Sequence, residues 1–266
     1  MASNKNCWTE TEIENGFFEC ALDSWKCFGE YINEEMLNHT NYIYRGHGDH
    51  TWKLEPTIDR IVTDPSSEIR EEHLERFKYE IRSRRGKNPS ILNDDNDWWA
   101  LGQHHGLNTP LLDWTQSPFI ALYFAASVAL KEKSEKCSVY ALWQNSVKII
   151  NDSIKSNELI KEVNGHKPTV KLFHPLSDEN NRLVNQRGLF TRGPNNMPLE
   201  DWVSKLNMNI PETKNYCVLI KINIPSKDLD NCLRYLNRMN ISNSTLFPDL
   251  MGASLHCNDY LIFENY

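Results

Sequence analysis

Apolar residues recur at helical spacing along much of the chain. Between about residues 18 and 37, Ala21, Trp25, Phe28 and Ile32 repeat every three to four positions, which predicts one amphipathic helix. Further helices are predicted from the same spacing or from their end signals: residues 66–84, 98–105, 119–131 and 226–239. In the 66–84 helix, the stripe of apolar residues from Ile69 to Ile81 is expected to be buried.

Two of these helices enclose a turn-rich segment. Asp97 is expected to cap the 98–105 helix, and Gly106 ends it. Ser117 followed by Pro118 is a strong helix start, because serine caps the free N–H groups and proline suits the first turn. Loops held between rigid elements commonly carry functional residues, so this segment is the first place to look for chemistry.

Strand patterns occupy other parts of the chain. Aromatic and β-branched residues at 42–44 predict a short strand, which Gly46 and Gly48 end. Strands are also predicted at 137–143 and at 216–224, where apolar residues alternate with others. Helices and strands do not alternate regularly. We therefore expect an α+β fold in one domain, with a mixed sheet, flanking helices and an N-terminal extension over residues 1–18.

Composition narrows the class of protein. The 266 residues include 29 Lys and Arg against 36 Asp and Glu, a net charge of −7 that argues against a surface coated by nucleic acid. Seven widely spaced cysteines, without a Cys-x-x-Cys pair, predict reduced thiols rather than a zinc site or a disulfide framework. The polar N-terminus and the short apolar runs predict a soluble, cytoplasmic protein without membrane contact.

Arg45 is the first candidate for ligand binding. It follows an aromatic strand and precedes Gly46, so its planar guanidinium is placed to bind phosphate or carboxylate, while the glycine lets a ligand approach the backbone. The alternative is a structural ion pair at a turn.

The residues before the Ser117 helix form a second candidate site. Helix N–H groups there suit an anion, Thr115 can form hydrogen bonds, and Trp114 can stack on a flat ring. The alternative is that Asp113 and Thr115 close their own turn, with Trp114 in the core. Neighbouring His104 and His105 point about 100° apart on a helix, so we do not expect a shared metal ion. One of them is expected to hydrogen-bond a loop carbonyl or a ligand, and the alternative for each is a structural histidine.

Common catalytic motifs are absent from the sequence, including Gly-x-Ser-x-Gly, the P-loop, the dinucleotide glycine motif and the kinase set. Asp249 offers an acid in a proline-containing loop over residues 246–250. The alternative role for Asp249 is to close a turn beside the C-terminal helix.

These motifs together resemble the FRG domain, which is named for its (Phe/Tyr)-Arg-Gly motif. The resemblance covers about residues 19–255, and the domain is expected over 19–266. The matching positions are Tyr44, Arg45, Gly46, Trp52, Leu54, Pro56, Arg60, 103–107, Thr109, 111–115, Pro118, 121–125, Gln186, Gly188, Phe190 and 246–250.

The order of elements also resembles, more weakly, the ADP-ribosyltransferase fold. That resemblance implies that Arg45 binds NAD, that Thr115 stands at the second strand position, and that Gln186 replaces the acid of the third. Asp113, Glu179 or Asp249 would then supply the carboxylate.

The two resemblances imply a toxin or phage-defence effector that uses NAD as substrate, needs no metal and transfers ADP-ribose to RNA, DNA or protein, with an antitoxin as partner. The catalytic residues would be Arg45, Asp113, Thr115, Gln186 and Asp249. The NAD-binding residues would be Tyr44, Arg45, Gly46, His105, Trp114 and Thr115. The alternatives are a catalytically inactive FRG module that binds a nucleotide or phosphorylated ligand, and a protein-interaction domain whose motif is structural.

Overall fold

The computed structural model describes residues 6–92, 94–175, 181–207, 217–263 and 266, which form an α+β fold with an eight-stranded mixed sheet and flanking helices. The strands are β1 Trp8–Glu10, β2 Phe17–Leu22, β3 Tyr42–His47, β4 Leu111–Thr115, β5 Lys136–Trp143, β6 Lys171–Phe173, β7 Gly188–Arg192 and β8 Leu219–Pro225. The helices are α1 Cys27–Tyr31, α2 Ile69–Glu80, α3 Asp95–His104, α4 Pro118–Glu132, α5 Gln144–Ser156, α6 Asn181–Gln186, α7 Leu199–Asn207, α8 Leu229–Arg238, α9 Asn243–Leu246 and α10 Leu250–Ile262, with a π-helical turn Ile32–Met36 after α1.

The sheet order is β1-β2-β8-β5-β3-β4-β7-β6. The β2–β8 pair is parallel, and the other neighbours are antiparallel. The predicted N-terminal extension contributes β1 and the start of β2 to this sheet. Among the described residues, no helix combines the length and apolar character that a bilayer crossing would need.

Strand β3 is paired fully on one side and at a single point on the other. It pairs with β5 along its whole length, from Tyr42 opposite Trp143 to His47 opposite Ser138. It meets β4 only where Tyr44 lies opposite Thr115. Beyond that point the two strands separate, so the sheet opens between them at the Arg45 end of β3.

Helix α4 covers β3 closely because Gly46 of the strand and Gly48, just after the strand ends, face the helix. A Cβ at Gly46 would lie 2.1 Å from the Ala121 carbonyl oxygen and 2.7 Å from the Ala125 nitrogen, and one at Gly48 would lie 2.3 Å from Val128. Ser117 accepts a hydrogen bond from the Ile120 N–H, and Pro118 begins the helix, as the sequence predicts. The absent side chain of Gly46 therefore allows the helix to pack closely on the strand.

The other predicted elements are mostly present, with shifted ends. The 137–143 strand is β5, and the 216–224 strand is β8, although residue 216 lies outside the described ranges. Helix α3 is capped by Asp94, which accepts from two backbone N–H groups, rather than by Asp97. The 66–84 helix spans only Ile69–Glu80, and Ile69 is 56% exposed rather than buried.

The prediction of one helix over residues 18–37 is wrong. Its first part is strand β2, which pairs with β8 from Phe17 opposite Leu219 to Ala21 opposite Asn223. Cys20 and Leu22 alternate with exposed Ala21, which is the period of a half-buried strand. A partner strand some 200 residues away overrides the local helical spacing.

The expectation that the cysteines are all reduced is also wrong. Cys7 and Cys27 form a disulfide, with their Cα atoms 6.0 Å apart. The pairing arises because β1 lies beside β2, which brings the start of the chain next to α1. The remaining five cysteines are free.

Candidate functional site

A cleft of about 430 Å³ lies at the opening between β3 and β4. Most of the residues that the sequence singled out line it: Tyr44, Arg45, Gly46, Asp113, Trp114, Thr115 and Gln186. His105 and Asp249 lie outside the lining. Its volume falls in the range of small-molecule sites.

Arg45 bridges the opening between the strands. Its Nη1 donates to the Asp113 carbonyl oxygen at 2.7 Å and lies 3.3 Å from the carboxylate Oδ2 of the same residue. Its Nε donates to His47 Nε2 at 3.1 Å. The side chain is 20% exposed, so the guanidinium is fixed but still faces the cleft.

His47 orients Arg45 by accepting a hydrogen bond from it. Burial, and then the charge of Arg45, lower the pKa of His47 to about 3, so the ring is neutral near pH 7. Its Nδ1 lies 3.3 Å from the Trp52 carbonyl oxygen. Nδ1 must carry the proton that this contact needs, which leaves Nε2 free to accept from Arg45.

Asp113 is held from two sides, yet its side chain is 59% exposed. Gln103 Nε2 donates to Asp113 Oδ1 at 2.7 Å, and the Gln103 amide oxygen accepts from the Thr109 hydroxyl. Among the residues that the structure describes, Asp113 is the one carboxylate lining the cleft. Glu179, the other acid considered from the sequence, lies outside the described residues.

Thr115 secures the wall of the cleft. Its hydroxyl donates to the Gln186 carbonyl oxygen at 2.6 Å and accepts from the Ser117 N–H at 3.0 Å, and the residue is 4% exposed. The Gln186 side chain donates to the Leu246 carbonyl oxygen at 3.1 Å. Thr115 thus closes its own turn, the second of the two roles that the sequence allowed, and the start of α4 is not part of the cleft lining.

Trp114 does not present its ring to a ligand. It is 3% exposed, and its indole N–H donates to the Thr191 hydroxyl at 2.9 Å, so the stacking role predicted for it is wrong and the core alternative holds. Trp52 lines the same cleft and is 39% exposed. Its position in the irregular segment after Gly48 was the signal that could have identified it.

His104 and His105 have different surroundings. His104 lines the cleft, and burial lowers its pKa, whereas His105 is exposed outside the lining. Their rings contact each other edge to face at 4.7 Å. The described residues hold no group of three or more side chains that could bind a metal ion.

Asp249 serves the helix that follows it. It accepts from the Gly252 N–H at 2.9 Å as the N-cap of α10 and forms an ion pair with Arg182. These bonds, led by that from Gly252, lower the pKa of Asp249. Its position matches the turn-closing alternative, and Arg182, with Arg60, brings further positive charge to the cleft.

The fold and the cleft together define an α+β protein with a ligand-sized opening where strands β3 and β4 of a mixed sheet separate. Within that class, residues 40–134 match the family model of the FRG domain, the family that the sequence motifs resemble. The match runs from before β3 to just beyond the end of α4, and so includes Arg45 and Asp113 but not Gln186. The searches of curated proteins and of solved structures gave no significant match.

Proposed function

We propose that the cleft binds NAD and that the protein transfers ADP-ribose from NAD to a macromolecular target, as a toxin or phage-defence effector controlled by an antitoxin. The proposal extends the FRG match through the weaker resemblance to ADP-ribosyltransferases. It is supported by the charge, the exposed ring and the carboxylate that meet in the cleft.

The arginines suit the pyrophosphate of NAD. Arg45 faces the cleft in a fixed orientation, while Arg60 and Arg182 line other parts of its wall. Guanidinium groups bind phosphate oxygens through paired hydrogen bonds, and a guanidinium that is already oriented loses less entropy on binding. Trp52 offers an exposed ring on which nicotinamide or adenine can stack.

We assign Asp113 to the chemical step. The bond between the nicotinamide nitrogen and the ribose carbon breaks, and its electron pair leaves with neutral nicotinamide. The sugar becomes cationic, and the Asp113 carboxylate stabilises that charge. A nucleophile on the target then donates an electron pair to the same carbon and loses its proton. The geometric observation that carries the proposal is the Arg45–Asp113 pair across the opening of the sheet.

The decisive experiment incubates the protein with NAD labelled in its ADP-ribose part and with cell lysate. Wild-type protein should release nicotinamide and label a macromolecule. Arg45→Ala should reduce both by roughly 10- to 100-fold, the loss expected for one charge-assisted contact. Arg76→Ala is the matched control, because Arg76 is 80% exposed on α2, away from the cleft lining.

Thermal unfolding of each variant separates a binding role from a structural one, since Arg45 also bonds the backbone of β4. Arg45→Lys keeps the charge without the planar fork and should restore only part of the activity. Absence of nicotinamide release and of labelling by wild-type protein, in every target mixture, would contradict the enzymatic proposal.

A catalytically inactive module that binds a nucleotide or phosphorylated ligand is the second candidate. It is favoured by Gln186, at the position where the resemblance to ADP-ribosyltransferases implies an acid, and by the bonds that already engage both oxygens of Asp113. Asp113→Asn separates the two functions. In an enzyme it should keep NAD binding and lose nicotinamide release, whereas in a binding module wild-type and variant protein should bind alike and release none.

A further inference from the structure

A second cavity of about 750 Å³ lies away from the β3–β4 cleft. It is bounded by the last residue of β7, by α2 and α3, and by the segments that follow α5 and β7. Arg192, which ends β7, lines it. Phe190, two residues earlier on the same strand, lines the first cleft instead.

Arg192 is a partly buried cation without an ion-pair partner among the described residues. Its Nη1 donates to the Asn96 side-chain oxygen at 3.2 Å, and the described residues give it no other hydrogen bond or ion pair. Burial lowers its pKa, but the group stays charged at neutral pH. Charges with little exposure in proteins are normally paired or hydrogen-bonded, so the unused donors of this guanidinium are available to a partner from outside the chain.

The other arginine and lysine side chains around the cavity are already engaged. Arg70 forms a buried ion pair with Asp59 at 2.9 Å. Lys171 pairs with Asp94 at 2.9 Å. The ammonium of Lys167 donates to three backbone carbonyl oxygens at 2.8–3.3 Å.

Acidic groups near Arg192 disfavour a ligand that carries more than one negative charge. Asp95, Glu71 and Asp94 act on Arg192 through their charges, although none forms an ion pair with it. Their negative potential favours one compact negative charge at Arg192 over a phosphate dianion. A carboxylate carries one negative charge and matches the planar fork of a guanidinium.

The rest of the wall suits an apolar body. Leu74, Met197 and three prolines line the cavity beside the charged groups. Its volume lies within the usual range for small-molecule sites. We propose that this second cavity binds a small monocarboxylic acid, with its carboxylate on Arg192 and its hydrocarbon part against the Leu74–Met197 wall.

The experiment measures binding of benzoate and hexanoate by ligand-observed NMR and by calorimetry. Benzyl alcohol, which lacks the charge, and inorganic phosphate serve as comparison ligands. At least one carboxylate should bind at least tenfold more tightly than either comparison ligand. Arg192→Gln should weaken that binding by roughly 10- to 100-fold, whereas Arg76→Gln should leave it unchanged.

A second variant tests the site without touching the guanidinium. Gly193 lines the cavity, and a Cβ there would meet only Val170, at 3.9 Å, so Gly193→Leu should fold and obstruct the ligand. Loss of carboxylate binding in Gly193→Leu supports the site even if Arg192→Gln is unstable. The proposal is overturned if neither carboxylate binds, if phosphate binds as tightly, or if Gly193→Leu and a folded Arg192→Gln protein both bind as wild type does.

Discussion

Arg45 is held at both ends of its guanidinium, by the neutral ring of His47 and by the backbone of Asp113. The His47 bond exists only while Nε2 lacks a proton. Protonation would remove the acceptor and place a second positive charge 3.1 Å from Arg45. The orientation of the cleft arginine therefore depends on a histidine that burial keeps uncharged.

This histidine predicts a pH dependence of stability. The pKa of His47 is about 3 in the folded protein and near 6.5 when unfolded. Between these values the unfolded chain binds the extra proton, so the free energy of unfolding falls as pH decreases below 6.5, by at most about 1.4 kcal/mol per pH unit. Denaturant unfolding from pH 6.5 to 5 should show a shallower decline for His47→Gln, because glutamine can accept from Arg45 without titrating.

The control is His39→Gln, since His39 is exposed and lies outside the cleft lining. It should keep the wild-type decline with pH. Equal slopes for wild type and His47→Gln would show that His47 does not stay neutral in the fold.

For single residues, the sequence singled out the polar lining of the candidate cleft but not its exposed aromatic ring. Arg45 and Asp113 were both identified, and the structure brings them together at 3.3 Å. Trp114 and Trp52 could not be distinguished, because Trp114 is buried among residues distant in sequence and bonds Thr191, 77 residues away. The dipeptide at 104–105 likewise gave no sign of which histidine faces the cleft.

At the scale of elements, the cleft depends on the packing of helix α4 against strand β3. Gly46→Ala would place a methyl group 2.1 Å from the Ala121 carbonyl oxygen, so helix and strand must move apart. We expect a loss of at least about 1–3 kcal/mol in the free energy of unfolding, measured by denaturant titration.

Gly29→Ala is the matched control, because a Cβ at Gly29 meets nothing within 4 Å in helix α1. It should be neutral or stabilising by up to about 1 kcal/mol. If the two substitutions had the same effect, close packing at Gly46 would not be the reason for its glycine.

Elements with strong local signals were predictable, whereas elements made by distant partners were not. Ser117 and Pro118 mark the start of α4 by capping chemistry alone. Strand β2 was mistaken for a helix, because its strand character comes from pairing with β8. Helical spacing within residues 18–37 carries no information about that pairing.

At the scale of the whole molecule, the disulfide links Cys7, just before β1, to Cys27, the first residue of α1. Under non-reducing conditions, unfolded protein should show five reactive thiols, and seven after reduction. Replacing Cys7 and Cys27 by serine should cost about 3 kcal/mol of stability, a typical value for a loop of this length. Mass spectrometry after thiol labelling gives the count, and seven thiols before reduction would contradict the pairing.

For the whole molecule, the α+β class followed from the irregular order of predicted helices and strands. The sheet order did not, since adjacent β8 and β2 are separated by most of the chain. The second cavity was equally hidden, because Arg192, Asn96 and Leu74 come from three distant segments. Such sites depend on topology, which a single sequence specifies only through contacts that leave no local pattern.

The outermost strands of the described sheet, β1 and β6, have three residues each. Long open edges offer unpaired N–H and C=O groups to other chains and so promote aggregation. Here each edge exposes little backbone, and each carries a charge, Glu10 on β1 and Lys171 on β6. Strand-by-strand addition of further copies is therefore disfavoured at both sides of a sheet that would otherwise be wide enough to act as a template.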